Sequence, residues 1–156
     1  MPDWSAGVLL GLGLLGCWFD ISQRRLPNWL SAIVLLAGLA VTLALGGLPA
    51  LTGHVVHAAI ALAGGIGLYA LRAIGAGDAK FYAAMAAWFP LDDGLRLLVS
   101  VATMGALVLL VWALIRRSRG QKVFSRERQP ENGVPYGVAI AFGAMLLLFS
   151  STGLLS

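Results

Sequence analysis

Gly75-Ala76-Gly77-Asp78-Ala79-Lys80 separates two long apolar runs, the upstream one reaching back to Leu51 and the downstream one ending near Pro90. An acid between segments of that kind is costly to keep without a task, so Asp78 is the first candidate site residue. One other acid could face it: Asp20, in Phe19-Asp20-Ile21-Ser22-Gln23-Arg24-Arg25-Leu26-Pro27-Asn28. The reading turns on whether those two can meet.

The 156 residues are 59% hydrophobic and only 12% charged, with a mean hydropathy of +0.85. A soluble domain carries about 25% charged residues, so this is membrane composition. A soluble chain this apolar would expose large patches and aggregate. Residues 1–156 are read as a single domain. The one cysteine, Cys17, excludes a disulfide framework and any paired-thiol zinc site, and is read as a small buried packing residue. Leu14-Leu15-Gly16-Cys17 could end a lipoprotein signal, but the residues before it include Asp3 and lack the basic start such a signal needs.

A spanning helix needs about 20 mostly apolar residues. Six segments come close: Trp4–Phe19, Trp29–Gly47, Leu51–Ile74, Ala79–Leu91, Gly94–Ile115 and Val134–Leu155. The expected fold is therefore all-α, a polytopic integral membrane bundle of about six transmembrane helices. Five crossings result if the short fourth segment is re-entrant. Arg24, Arg25, Arg72, Lys80, Arg116, Arg117, Arg119, Lys122, Arg126 and Arg128 fall on one side of the six-crossing arrangement and Arg96 alone on the other. Loops rich in Lys and Arg stay in the cytoplasm, which points both termini outward. The same partition accounts for the +4 charge and the pI near 9.8 without a nucleic-acid partner.

Parity then bears on the two acids. Asp20 follows the first segment and Asp78 precedes the fourth, so two crossings lie between them and return the chain to one face. The acids are topologically able to meet, at the cytoplasmic face. Arg116–Gly133 reads as a solvated basic loop, able also to touch anionic lipid headgroups. His54 and His57 share a helical face, but two ligands without a carboxylate or thiol nearby make a poor metal site, and they are read as interfacial residues. Gly7, Gly11, Gly64, Gly65, Gly67, Gly105 and Gly143 are assigned to close helix packing. Trp4, Trp29 and Trp88 are assigned to an aromatic belt at span ends.

The glycines before Asp78 do not make a phosphate loop. A Walker loop needs four residues between its glycines before Gly-Lys-Ser/Thr, and a dinucleotide turn needs a third glycine where Lys80 stands. They suit a place where backbone breaks or approaches closely as a helix begins. Two carboxylates in a partly dehydrated pocket tend to share one proton. The ionised partner can take a proton from water while the protonated one polarises a carbonyl, which is aspartyl peptide hydrolysis and needs no metal or other cofactor. Structural alternatives are that Asp78 caps the fourth helix and Asp20 pairs with Arg24 or Arg25.

Three stretches taken together resemble the type IV prepilin peptidases. They are Phe19-Asp20 through Leu26-Pro27-Asn28, then Gly75 to Lys80, then Val134-Pro135-Tyr136-Gly137-Val138. The resemblance implies that Asp20 and Asp78 are the catalytic pair, supported by Gly75, Gly77, Lys80, Pro27, Asn28, Pro135 and Gly137. It implies a membrane aspartic endopeptidase that removes the basic leader of prepilin or pseudopilin precursors at the cytoplasmic face of the bacterial inner membrane. Larger members carry an extra segment with paired cysteines that methylates the new amino terminus. This chain is similar to the minimal Flp/Tad-pilus type without it. Leu26 stands where the family more often has isoleucine. From another class, the rival is a small proton-coupled transporter subunit using Asp20 and Asp78 as a relay, which predicts further polar residues across the spans. A non-catalytic membrane scaffold is the third reading.

Overall fold

The computed structural model describes residues 3–118, 120 and 135–151. These form five α-helices and one 3-10 turn, with no strand among the described residues. They are α1 (Asp3–Gln23), α2 (Asn28–Ala70), α3 (Ala76–Ala86), the turn Leu91–Asp93, α4 (Gly94–Ser118) and α5 (Tyr136–Ser151). Three helical stretches, Trp4–Gln23, Asn28–Ala70 and Leu91–Ser118, are long and apolar enough to cross a membrane. Many large apolar side chains face outward, among them Leu36, Leu48, Ile66, Leu71 and Leu95. Water does not tolerate such a surface, and hydrocarbon does. The chain is a membrane protein.

Helix α2 is 43 residues long but not straight. Gly47 takes φ 67° and ψ −167° inside it, and Pro49 follows without an N–H to continue the ladder. The chain reverses there. Along an uninterrupted helix Thr42 and His54 would lie about 18 Å apart, yet Thr42 Oγ1 is 3.2 Å from His54 Nδ1. The two arms correspond to the segments expected at Trp29–Gly47 and Leu51–Ile74.

Helix α3 lies against both arms and forms the centre of the bundle. Phe81, Met85 and Trp88, on it and just past it, are fully buried. Gly38 on the first arm leaves room for the Trp88 indole, and Gly65 on the second lets the backbone approach Ala79. With 11 residues, α3 is about 17 Å long, well short of the hydrocarbon thickness, so Ala79–Leu91 is not a full helical span. Helix α5, described over 16 residues, packs on α1 and α4. Most of the basic loop expected at 116–133, and the ends of the sixth expected segment, Val134 and Leu155, lie outside the described residues.

Several expectations about packing change. Trp4 and Trp29 are half-exposed, as a belt requires, but Trp88 is buried and its indole N–H donates to the Val34 carbonyl at 3.0 Å. His54 and His57 are not interfacial. Both are buried, and their Nδ1 atoms lie 2.9 Å from the carbonyls of Ala87 and Phe89, where α3 ends. Those carbonyls have no helical partner, so the imidazoles satisfy groups that would otherwise be orphaned in apolar surroundings. Among the expected packing glycines, Gly65 and Gly143 are closely approached, whereas Gly7, Gly11, Gly64 and Gly67 face open space. Gly13 and Gly16 instead receive Met145 and Phe81. Cys17 is buried as expected.

These contacts set a stability contrast. A Cβ at Gly143 would come to 2.5 Å from the Val101 Cα, a backbone atom that cannot rotate away, while one at Gly7 meets nothing. Gly143→Ala should therefore destabilise the detergent-solubilised protein by about 1–3 kcal/mol. Gly7→Ala should be neutral or slightly stabilising, since alanine is the better helix former. Thermal unfolding followed by size-exclusion fluorescence reads both.

Candidate active site

Four chain segments converge at one end of the bundle: the last turn of α1, the Arg24–Asn28 connection, and the first turns of α3 and α5. Arg24 closes α1 in a left-handed conformation, φ 53°. Pro27 then starts α2, its carbonyl accepting from the Leu30 and Ser31 N–H groups at 3.1 and 3.3 Å. The buried Leu26 side chain is the wedge of the assembly, lying against both Gly77 and Gly137.

Asp20 is buried, 6% exposed. Its Oδ2 accepts from the Val138 N–H at 3.1 Å, and the Gly137 N–H also donates to the carboxylate. Asp20 thus occupies the N-terminus of α5, where free N–H groups and the helix dipole favour a negative charge. Gly137 makes the approach possible: a Cβ there would stand 2.9 Å from Asp20 Oδ2 and from Leu26 Cδ1. Pro135, just before the helix, needs no N–H partner of its own. Arg24 acts on Asp20 as a nearby positive charge, while the hydrogen bonds come from α5.

Asp78 sits in the first turn of α3, outside the three long apolar helices. Its Oδ2 accepts from the Gly75 N–H at 3.1 Å, so the capping role considered from sequence is present. Only one oxygen is used; among the described residues Oδ1 has no hydrogen-bond partner, and Asp78 lines the groove described below. Gly75 is required for the close approach, because a Cβ there would come to 2.8 Å from the same oxygen. Burial first, and the Asp20 carboxylate second, push the Asp78 carboxyl up to about 6 against the opposing Gly75 hydrogen bond. The two acids therefore feel each other, as the parity argument allowed. Lys80 Nζ donates to Asn28 Oδ1 at 2.9 Å and ties the start of α3 to the start of α2.

A groove of about 890 Å³ opens beside Asp78, between the second arm of α2 and helices α3, α4 and α5. Asp78 and Tyr136 stand at one end, His57 and Gly94 at the other. Its walls are apolar, with small residues such as Gly64, Gly65, Ala102 and Gly105 keeping them shallow. Sequence reasoning missed Tyr82, Tyr136 and His57 as lining residues. Tyr136 lies inside a quoted motif, and the His54/His57 spacing was a signal read for the wrong environment. No group of three or more His, Cys, Asp or Glu side chains able to hold a metal occurs among the described residues.

Residues 7–114 match the family model of the type IV leader peptidases. The chain belongs to that family. The matched stretch contains Asp20, Pro27, Asn28, Gly75, Gly77, Asp78 and Lys80, and stops before Pro135 and Gly137. No match is found among curated proteins or solved structures. Membership makes the chain a leader peptidase-like protease, whose family acts on prepilin-type substrates.

The position of Asp78 implies a pH-dependent stability. A carboxyl raised from its ordinary 3.8 to about 6 binds its proton more tightly in the folded protein. Its contribution is fully present below the unfolded value and is lost as pH rises through the folded one. Asp78→Asn should unfold at a higher temperature than the wild type at pH 8 and lose that advantage by about pH 4. A difference independent of pH would contradict a buried carboxyl facing Asp20.

Proposed function

We propose that this protein is an aspartic endopeptidase that removes the leader of type IV prepilins of the Flp/Tad kind. Asp20 and Asp78 are the catalytic pair. The observation that carries the reading is their convergence at one end of the bundle, each carboxylate at a helix N-terminus and each approached through a glycine, with Asp78 lining an apolar groove. The enzyme is a six-crossing protein of the bacterial inner membrane, its crossings being α1, the two arms of α2, the segment Ala79–Leu91 that follows Asp78, α4 and α5. Lys and Arg around the converging end keep the site at the cytoplasmic face.

In this mechanism the apolar helix of the precursor lies in the groove and its basic leader remains in the cytoplasm. The pair holds one proton between two carboxylates. The ionised member removes a proton from water as the oxygen attacks the scissile carbonyl, and the protonated member polarises that carbonyl. Return of a proton to the departing amine then breaks the C–N bond. Low dielectric around the groove strengthens each of these interactions. Lys80 and Asn28 act as positioning residues that hold the Asp78 turn against the Leu26-Pro27-Asn28 connection. Pro27, Pro135, Gly75, Gly77 and Gly137 shape the backbone that carries the pair.

Cleavage of a co-expressed prepilin by the wild type, Asp20→Asn and Asp78→Asn tests the proposal. Each substitution should lower the rate by at least about 100-fold, the usual scale of acid–base catalysis, with insertion into the membrane unchanged. Processing that survives either substitution would contradict the aspartyl mechanism.

A further inference from the structure

His57 is 3% exposed, yet it lines the groove at the end away from Asp78. The Phe89 carbonyl, 2.9 Å from Nδ1, can only accept, so Nδ1 carries the proton and donates. In the neutral ring Nε2 is then an acceptor. Among the described residues it has no partner. Gly94 lines the groove beside it, and a Cβ added there would come to 3.2 Å from Nε2. The absence of a side chain at Gly94 therefore keeps the acceptor uncovered. His54 makes a useful contrast: its Nδ1 contacts both Ala87 O and Thr42 Oγ1, away from the groove.

Nε2 itself is not sealed inside the protein, and an acceptor left open to an apolar groove points to something that binds there. We propose that His57 Nε2 is a specificity-determining acceptor for a hydroxyl, a Ser or Thr side chain, on the apolar segment of the substrate. This rests on the peptidase reading and deepens it. The spacing follows from α2. Gly65 packs on Ala79, next to Asp78, and His57 lies eight residues earlier on the same arm, about 12 Å along the axis. The hydroxyl therefore falls about eight residues past the scissile bond if the substrate is helical throughout. It falls about four residues past if the chain there is extended. The small side chains between the two ends give the substrate backbone room to lie close, as at other helix contacts in membranes.

The test uses the full chain in lipid nanodiscs and synthetic peptides with a basic leader followed by a Leu/Ala segment. One Ser is moved through positions 3 to 10 past the junction, with an all-apolar peptide as reference. Equilibrium binding is read on the Asp20→Asn/Asp78→Asn double variant, so that nothing is cut. A single favoured position, binding roughly three- to tenfold tighter than the reference, is the expected result. His57→Phe should abolish the preference. Gly94→Ala, which leaves the Phe89 hydrogen bond in place, should abolish or sharply reduce it by covering Nε2. Equal binding at every Ser position overturns the proposal, as does a preference that survives both variants. Binding of no peptide, the groove being left to lipid, overturns it too. Failure here with aspartate-dependent cleavage intact removes only the role of His57, whereas cleavage that survives loss of either aspartate removes the peptidase reading itself.

Discussion

The seat of Asp20 on the first turn of α5 is the contact on which the arrangement of this bundle depends. A carboxylate inside an apolar protein needs hydrogen-bond donors or a counter-charge. A helix N-terminus in the same environment needs acceptors for its free N–H groups. Here each satisfies the other across 118 residues of sequence, through Val138 and Gly137. Gly137 has no side chain because the carboxylate and Leu26 occupy the space one would take. That single contact fixes the end of α1 relative to α5 and sets Leu26 against the first turn of α3.

The opposite end is closed by a different device. Helix α3 is short, and where it stops its last carbonyls would face hydrocarbon or packed side chains. His54 and His57 supply donors to Ala87 and Phe89, and the Trp88 indole reaches back to Val34. A short central helix is therefore tied at both ends, by Gly75–Asp78 and Lys80–Asn28 at one and by the imidazoles at the other. The groove runs between those two ties. Among the described residues, its one lining carboxylate lies at one end and its one lining imidazole at the other.

Much of this was legible in the sequence because it rests on local rules. Apolar run lengths identified α1, both arms of α2 and α4, and the gap between Gly47 and Leu51 correctly marked the reversal that Gly47 and Pro49 produce. Counting crossings alone brings Asp20 and Asp78 to one end. What was not legible depends on partners distant in sequence. A His pair at i, i+3 announces a shared face but not whether that face meets lipid, water or a helix end. Trp88 near a predicted span end reads as a belt residue until Gly38 is known to open a slot for it. Glycine spacing likewise announces small residues without saying which are filled, so Gly7 and Gly11 were assigned contacts that Gly13 and Gly16 make. The length of α3 was overestimated because Ala87 to Phe89 stay apolar after the helix has ended.

The central claim is that the side chains at positions 20 and 78 face each other at one end of the bundle. Thiol cross-linking in membranes tests it directly, with Asp20→Cys and Asp78→Cys combined on a Cys17→Ala background and treated with a short bis-thiol reagent. The account predicts an intramolecular cross-link between these two positions and none when Asp20→Cys is instead paired with Gly94→Cys at the opposite end. Failure of the first pair to react, with both thiols individually accessible, would contradict the account.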